Sequence, residues 1–250
     1  MHIVVAMKQI PDLQQLRISN RKPVFDDVVY TYGDMDKNAL EAAVQLKEAS
    51  DGDATVTVLT VGNEETQETV KEALASGADD AFIISDDEYG HIDSLQAATL
   101  IADAIRRIGD VDALFFGEGS GDSYSGQVVG RVAEMLGWPQ IGFVRSVELS
   151  TDKAKAIRSL EDAQETIEAP LPAVLSFSAD ANTPRVPKVT QILKAGRKPK
   201  EVLDSTDIDI EVPEKQIELI SGLAPLNERK GVRTASLDEL IESIKKENLI

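Results

Sequence analysis

Short apolar runs alternate along the first half of the chain with longer stretches in which apolar residues return every three or four positions. The short runs at 2–7, 54–61, 81–85 and 112–116 read as strands, and the longer stretches at 36–49, 64–76, 93–108 and 127–136 read as helices. Strands and helices in that alternation build a parallel sheet with helices on both faces. Helix stops agree with the pattern. Gly77 follows ETVKEALAS and Gly137 follows RVAEML, each placed where a glycine just past the last turn ends a helix.

Beyond Trp138-Pro139 the alternation shortens, with apolar and polar positions trading places over 142–149, 154–160, 165–168 and 173–177. These predict antiparallel strands that extend the sheet, with Trp138 closing its helix onto the core. From Ser178 the chain turns rich in Pro and Lys and then acidic, and only 237–246 regains a helical period, with Ser236 as its N-cap. The expected fold class is α/β, a doubly wound, mostly parallel sheet with an antiparallel extension and a C-terminal arm. The expected division is an α/β nucleotide-binding domain over 1–178 and a partner-facing loop and arm over 179–250.

Composition narrows the chemistry. The 250 residues carry 44 acidic and 26 basic side chains, a net charge of −18, which argues against nucleic-acid binding because phosphate contacts need clustered cations. There is no cysteine and there are two histidines, His2 and His91, which leaves no thiolate site, no metal centre and no imidazole base to expect. No apolar run approaches the ~20 residues that span a bilayer, and MHIVVAMKQ enters a strand without an Arg-rich leader. The expectation is a cytoplasmic chain not inserted in a membrane.

The most informative stretch is GEGSGDSYSGQVVG, residues 117–130, lying between a predicted strand and the helix-like RVAEML. Glycines at 117, 119, 121 and 126 permit close backbone approach to a ligand, while Asp122, Ser123 and Ser125 can cap a helix or bond a sugar hydroxyl. Helix N–H groups there suit a nucleotide phosphate. Spacing alone suits an ordinary strand-to-helix turn equally well, since the stretch is neither GxGxxG nor a Walker loop.

Several landmarks together resemble the β subunit of electron transfer flavoproteins: AMKQIPD at 6–12, ALEAAVQLKE at 39–48, Val61-Gly62, QETVKEALASGAD at 67–79, LGWPQ at 136–140, LPAV at 171–174, PRVP at 184–187 and ILKA at 192–195. The loop at 117–130 and YGDMDKNA at 32–39 look closest to the Fix-type branch, associated with nitrogen fixation and carnitine or acyl-CoA (fatty acid) metabolism. The resemblance implies an adenine nucleotide α hydrolase-like fold. It also implies a heterodimer in which the α subunit holds most of the redox FAD, while the β subunit carries AMP or a second FAD. Nucleotide contacts are then expected at Ala6, Lys8, Val61, Gly62, Gly117, Gly119, Ser120, Gly121, Asp122, Ser123, Ser125, Gly126, Gln127 and Val128. No residue is expected to act as acid or base, because the flavin supplies the redox chemistry. The implied partners beyond the α subunit are a flavoprotein dehydrogenase or a quinone-linked oxidoreductase. Two other readings stand beside this one: an NADH-linked bifurcating complex, and a stand-alone adenine-nucleotide-binding signalling protein. Departures are Leu13 in place of a tyrosine, Ser123 and Gly126 in place of Asp and Asn, and Ala181 where a bulky partner-docking leucine is expected. A basic cluster, Lys188, Lys194, Arg197, Lys198 and Lys200, lies nearby.

Overall fold

The computed structural model describes residues 1–50, 52–226 and 231–249. In chain order the elements are β1 (His2–Ala6), β2 (Gln9–Pro11), β3 (Arg17–Ser19), β4 (Lys22–Val24), β5 (Tyr30–Tyr32), α1 (Asp34–Ala49), β6 (Thr55–Gly62), α2 (Thr66–Ser76), β7 (Asp80–Ser85) and α3 (Ser94–Ile108). They continue with β8 (Ala113–Gly117), α4 (Val128–Leu136), β9 (Gln140–Leu149), β10 (Lys153–Ser159), β11 (Gln164–Pro170), β12 (Ala173–Phe177), α5 (Val189–Ala195), β13 (Lys200–Leu203) and α6 (Leu237–Lys246). They fall into two units, Met1–Leu16 with Phe25–Ile220 and Arg17–Val24 with Ser221–Ile250.

The first unit is built on a nine-stranded sheet in the order β11-β10-β9-β12-β8-β1-β6-β7-β13. Strands from β9 to β13 across that list run parallel, and β10 pairs antiparallel with both β9 and β11. The expected α/β class, with its antiparallel extension, is the architecture found. Successive strand side chains point to opposite faces. Ile3, Val5, Val56, Val58, Phe115 and Leu175 pack against α1 and α2, while Val4, Leu59, Ile84, Leu114 and Val174 pack against α3 and α4. Burial on both faces is why these strands read as unbroken apolar runs. Trp138 packs against the α3–α4 core, as expected.

Two pieces of this unit were not foreseen. Between β1 and α1 the chain makes a short antiparallel pair, β2 with β5. After Ser178, α5 forms and β13 adds to the main sheet parallel to β7, so a segment expected to be irregular supplies an edge strand. Its four residues are only half-buried or exposed, which erases the apolar run that would have announced them.

In the second unit, β3 and β4 form a two-residue hairpin. Its corner residues Asn20 and Arg21 have φ of 49° and 66°, the left-handed pair that a type I′ turn requires. The Arg21 Nε donates to the Ala224 carbonyl at 2.7 Å and the Ala224 N–H returns to the Arg21 carbonyl at 2.8 Å. The predicted helix at 237–246 forms with Ser236 as N-cap, its hydroxyl accepting from the Glu239 N–H at 3.2 Å.

Candidate functional site

From β1 the chain winds outward through β6 and β7, then crosses back to β8 on the other side of β1. That reversal opens a crevice at the carboxyl ends of β1 and β8, the place where open α/β sheets hold ligands. Ala6 and Phe116 are paired at the strand ends, so Lys8 and Gly117 stand at the crevice mouth.

Asp36, in the first turn of α1, spans this mouth. Its Oδ2 accepts from the Lys8 N–H at 2.9 Å and its Oδ1 from the Gly117 N–H at 3.2 Å. The residue is 7% exposed. Burial pushes its pKa up to about 7 against the opposing pull of the two N–H bonds and the Lys8 charge. Gly117 is required here by contact. A Cβ would stand 2.6 Å from Asp36 Oδ1 and 2.8 Å from the backbone of Met35 and Asp36.

The glycine loop continues over the crevice. Lys8 Nζ bonds Asp122 Oδ2 at 2.6 Å, the hydroxyls of Ser120 and Ser123 lie 3.1 Å apart, and the Tyr124 N–H donates to the Ser120 carbonyl at 2.9 Å. Burial alone would raise the Asp122 carboxyl, but hydrogen bonds from Lys8 and Ser120 bring it below its ordinary value. Tyr124 bonds Glu118 and lays its ring where a Gly119 Cβ would meet it at 3.0 Å; Leu13 covers Gly121 in the same way at 3.0 Å. Gly126 has φ of 62°, and the Ser125 hydroxyl makes no hydrogen bond among the described residues.

The loop ends at α4, whose start differs from that of α3. Asp93 caps α3 through the N–H groups of Leu95 and Gln96, and Gln96 completes a capping box. Gln127 gives α4 no side-chain cap; its Oε1 accepts instead from Arg131 at 2.7 Å and from the Ser94 hydroxyl at 3.5 Å. The first N–H groups of α4 therefore keep their free dipole end. One strand over, Gly62 approaches Thr66 so closely that a Cβ would lie 2.5 Å from the Thr66 hydroxyl. Just beyond it, the buried Asn63 Oδ1 has no hydrogen-bond partner.

All the residues expected at the site thus lie along one edge of the sheet. Ala6, Lys8 and 117–126 meet at the β1–β8 crevice, Gln127 and Val128 open α4, and Val61 and Gly62 end the neighbouring strand. Sequence reasoning missed Asp36, Asn63 and Tyr124. A first-turn acidic residue after a strand was the only available signal for Asp36. Away from the crevice, Asp12 accepts from the Gln14 N–H and the Gln15 side chain in a turn, and Arg158 pairs with Glu165 across β10 and β11 at 2.6 Å. Among the described residues no three metal-capable side chains converge, and no helix is long and apolar enough to cross a membrane.

Fold and edge together define an open α/β protein with a glycine-lined candidate site at its switch point. The electron transfer flavoprotein domain model matches residues 26–208. Over 98% of this chain and 96% of its own length, the electron transfer flavoprotein subunit beta of Thermoanaerobacterium thermosaccharolyticum is 33% identical. The protein of the same name from Clostridium acetobutylicum is 35% identical over 84% of this chain and 81% of its own. The chain belongs to the electron transfer flavoprotein family as a β subunit.

Proposed function

We propose that this chain pairs with an α subunit as an electron-carrying flavoprotein and holds an adenine nucleotide at the carboxyl edge of its sheet. The observation that carries the reading is the uncapped start of α4 behind a glycine loop, at the switch point. The residues present fit such a ligand. The N–H groups of Val128 to Gly130 suit a phosphate, the orphaned Asn63 oxygen offers an acceptor for an amino or hydroxyl group, and Gly119 and Gly121 let Tyr124 and Leu13 lie directly on the loop backbone. A flavin supplies the electron-transfer chemistry when bound. The chain's own part is to position and to brace.

Residues 1–178 carry the nucleotide in this reading and 179–250 face partners. Ala181, which stands where a bulky docking leucine is expected, packs partly buried against the α1-side core. Around α5, outward apolar side chains include Val186, Val189, Ile192 and Leu193, beside the exposed cations Lys188, Lys194 and Arg197. Lys198, expected in the basic cluster, turns inward to the carbonyls of Leu74 and Ala78. The paired substitution Val189→Ser and Leu193→Ser is expected to slow stopped-flow electron exchange with a flavoprotein dehydrogenase by tenfold or more, since anchors of this kind typically cost roughly 2 kcal/mol when lost. The rate is expected to fall with salt. A rate unmoved by both changes excludes this surface as the docking face.

Nucleotide analysis tests the central reading. Co-expressed with the α subunit, the chain is expected to form a 1:1 complex that releases one adenine nucleotide in addition to its redox flavin. Gly119→Val is expected to deplete that nucleotide and leave the redox flavin in place. Release of AMP supports a simple carrier, and two flavins per complex support a bifurcating one. Finding no nucleotide beyond one flavin overturns the assignment.

A further inference from the structure

We propose that Asp36 is a positioning residue whose carboxylate occupies the Lys8 and Gly117 N–H groups at the switch point, excluding a phosphate from the β1–β8 crevice and directing it to the start of α4. The inference rests on the nucleotide reading above only for the identity of the directed ligand.

The two N–H groups in question stand just past the end of β1 and at the end of its parallel neighbour β8 and point at one spot, the arrangement that an anion would ordinarily exploit. Asp36 fills that spot with an anion belonging to the chain. Each carboxylate oxygen takes one N–H, and α1's own amino end favours the negative charge so near its first turn. The wedge is tight: Gly117 touches Asp36 with no room for a Cβ. A phosphate brought to the same place would lose both donors and meet a like charge in a buried setting. The donors of α4, by contrast, have no side chain competing for them.

The groups facing Asp36 set its response to pH. Lys8 approaches from the link after β1 and Asp122 from the glycine loop, while the buried phenol of Tyr32 lies behind them at the end of β5. Lys8 and Asp122 are paired with each other, so their charges largely offset at Asp36. With a carboxyl near 7, protonation weakens the bond that its hydroxyl oxygen accepts and removes the repulsion. The crevice then opens to anions below neutrality and closes above it.

The experiment uses isotopically labelled full-length chain in its purified complex. Backbone amide shifts are followed during titration with AMP and with sulfate, whose charge is constant over this range. At pH 8 the amides of Val128 to Gly130 are expected to respond and those of Lys8 and Gly117 to stay still. At pH 6 the sulfate response at Lys8 and Gly117 is expected to grow roughly tenfold, following the protonated fraction of a group with a pKa near 7. Asp36→Ala is expected to give the pH 6 behaviour at both pH values. A wild-type response at Lys8 and Gly117 at pH 8 equal to that at α4 overturns the proposal without need of the variant, as does a response larger at pH 8 than at pH 6. If the α4 amides ignore AMP while Lys8 and Gly117 behave as described, the nucleotide reading fails and the role of Asp36 stands.

Discussion

Gly117→Ala is expected to lower stability by about 3 kcal/mol, the upper end of the usual cost of overpacking. The reason is the identity of the atoms in the way. A Cβ at 117 would meet Met35 C and Asp36 N at 2.8 Å as well as the Asp36 carboxylate at 2.6 Å. Backbone cannot rotate aside, so α1 or β8 must shift and the Asp36 bridge must break. Gly121→Ala is the control. Its Cβ would press at 3.0 Å on the Leu13 side-chain tip, which can turn away, and the expected cost is below about 1 kcal/mol. Urea unfolding of the two variants checks the difference, with equal midpoints counting against the argument.

Arg185→Met is expected to cost about 2 kcal/mol and to free the segment ahead of α5. Arg185 grips Glu41 through Nε at 2.7 Å and a terminal nitrogen at 3.0 Å, and reaches Glu48 at 2.6 Å. Glu41 is 7% exposed, so removing the guanidinium leaves a buried carboxylate with only the Gln45 side chain and the backbone N–H of residue 185. Breaking a fully buried pair costs roughly 3–5 kcal/mol, and the partial exposure of Arg185 reduces that here. The sign with pH follows from Glu41. Burial would raise its pKa, but the Arg185 hydrogen bonds outweigh burial and hold it below the ordinary value. A carboxyl depressed in the folded state contributes stability above its unfolded pKa and loses it as pH falls through the folded one. The gap between wild type and variant should therefore be constant near neutrality and close in acid. A gap that persists unchanged in acid would assign the effect to packing instead.

The parallel core was legible because its strands are covered on both faces and its helices on one, which leaves two distinct periods in the chain. The glycine loop was legible because close backbone approach restricts residue choice. Other features were not legible, each for a definite reason. β13 is half-exposed on an edge and carries no apolar run. Asp36 resembles any acidic residue in a first helical turn until its burial is known. The segment at 181–185 looked irregular because its order comes from distant partners: Asn182 and Asn38 exchange side-chain-to-carbonyl bonds at 2.7 and 2.9 Å, and Arg185 meets Glu41 and Glu48. No local pattern encodes such pairs.

The place of β13 bears on how the chain comes off the ribosome. β7 is complete long before its outer neighbour exists, because Ala81 pairs with Lys200, more than a hundred residues later. Until then the backbone edge of β7 is open to any passing strand, and a pairing between such distant parts of a chain is slow to form. A newly made protein thus carries an adhesive border through most of its synthesis. Lys200 and Glu201 place charges on the strand that finally closes it, so the finished sheet presents a border that repels where the nascent one would stick.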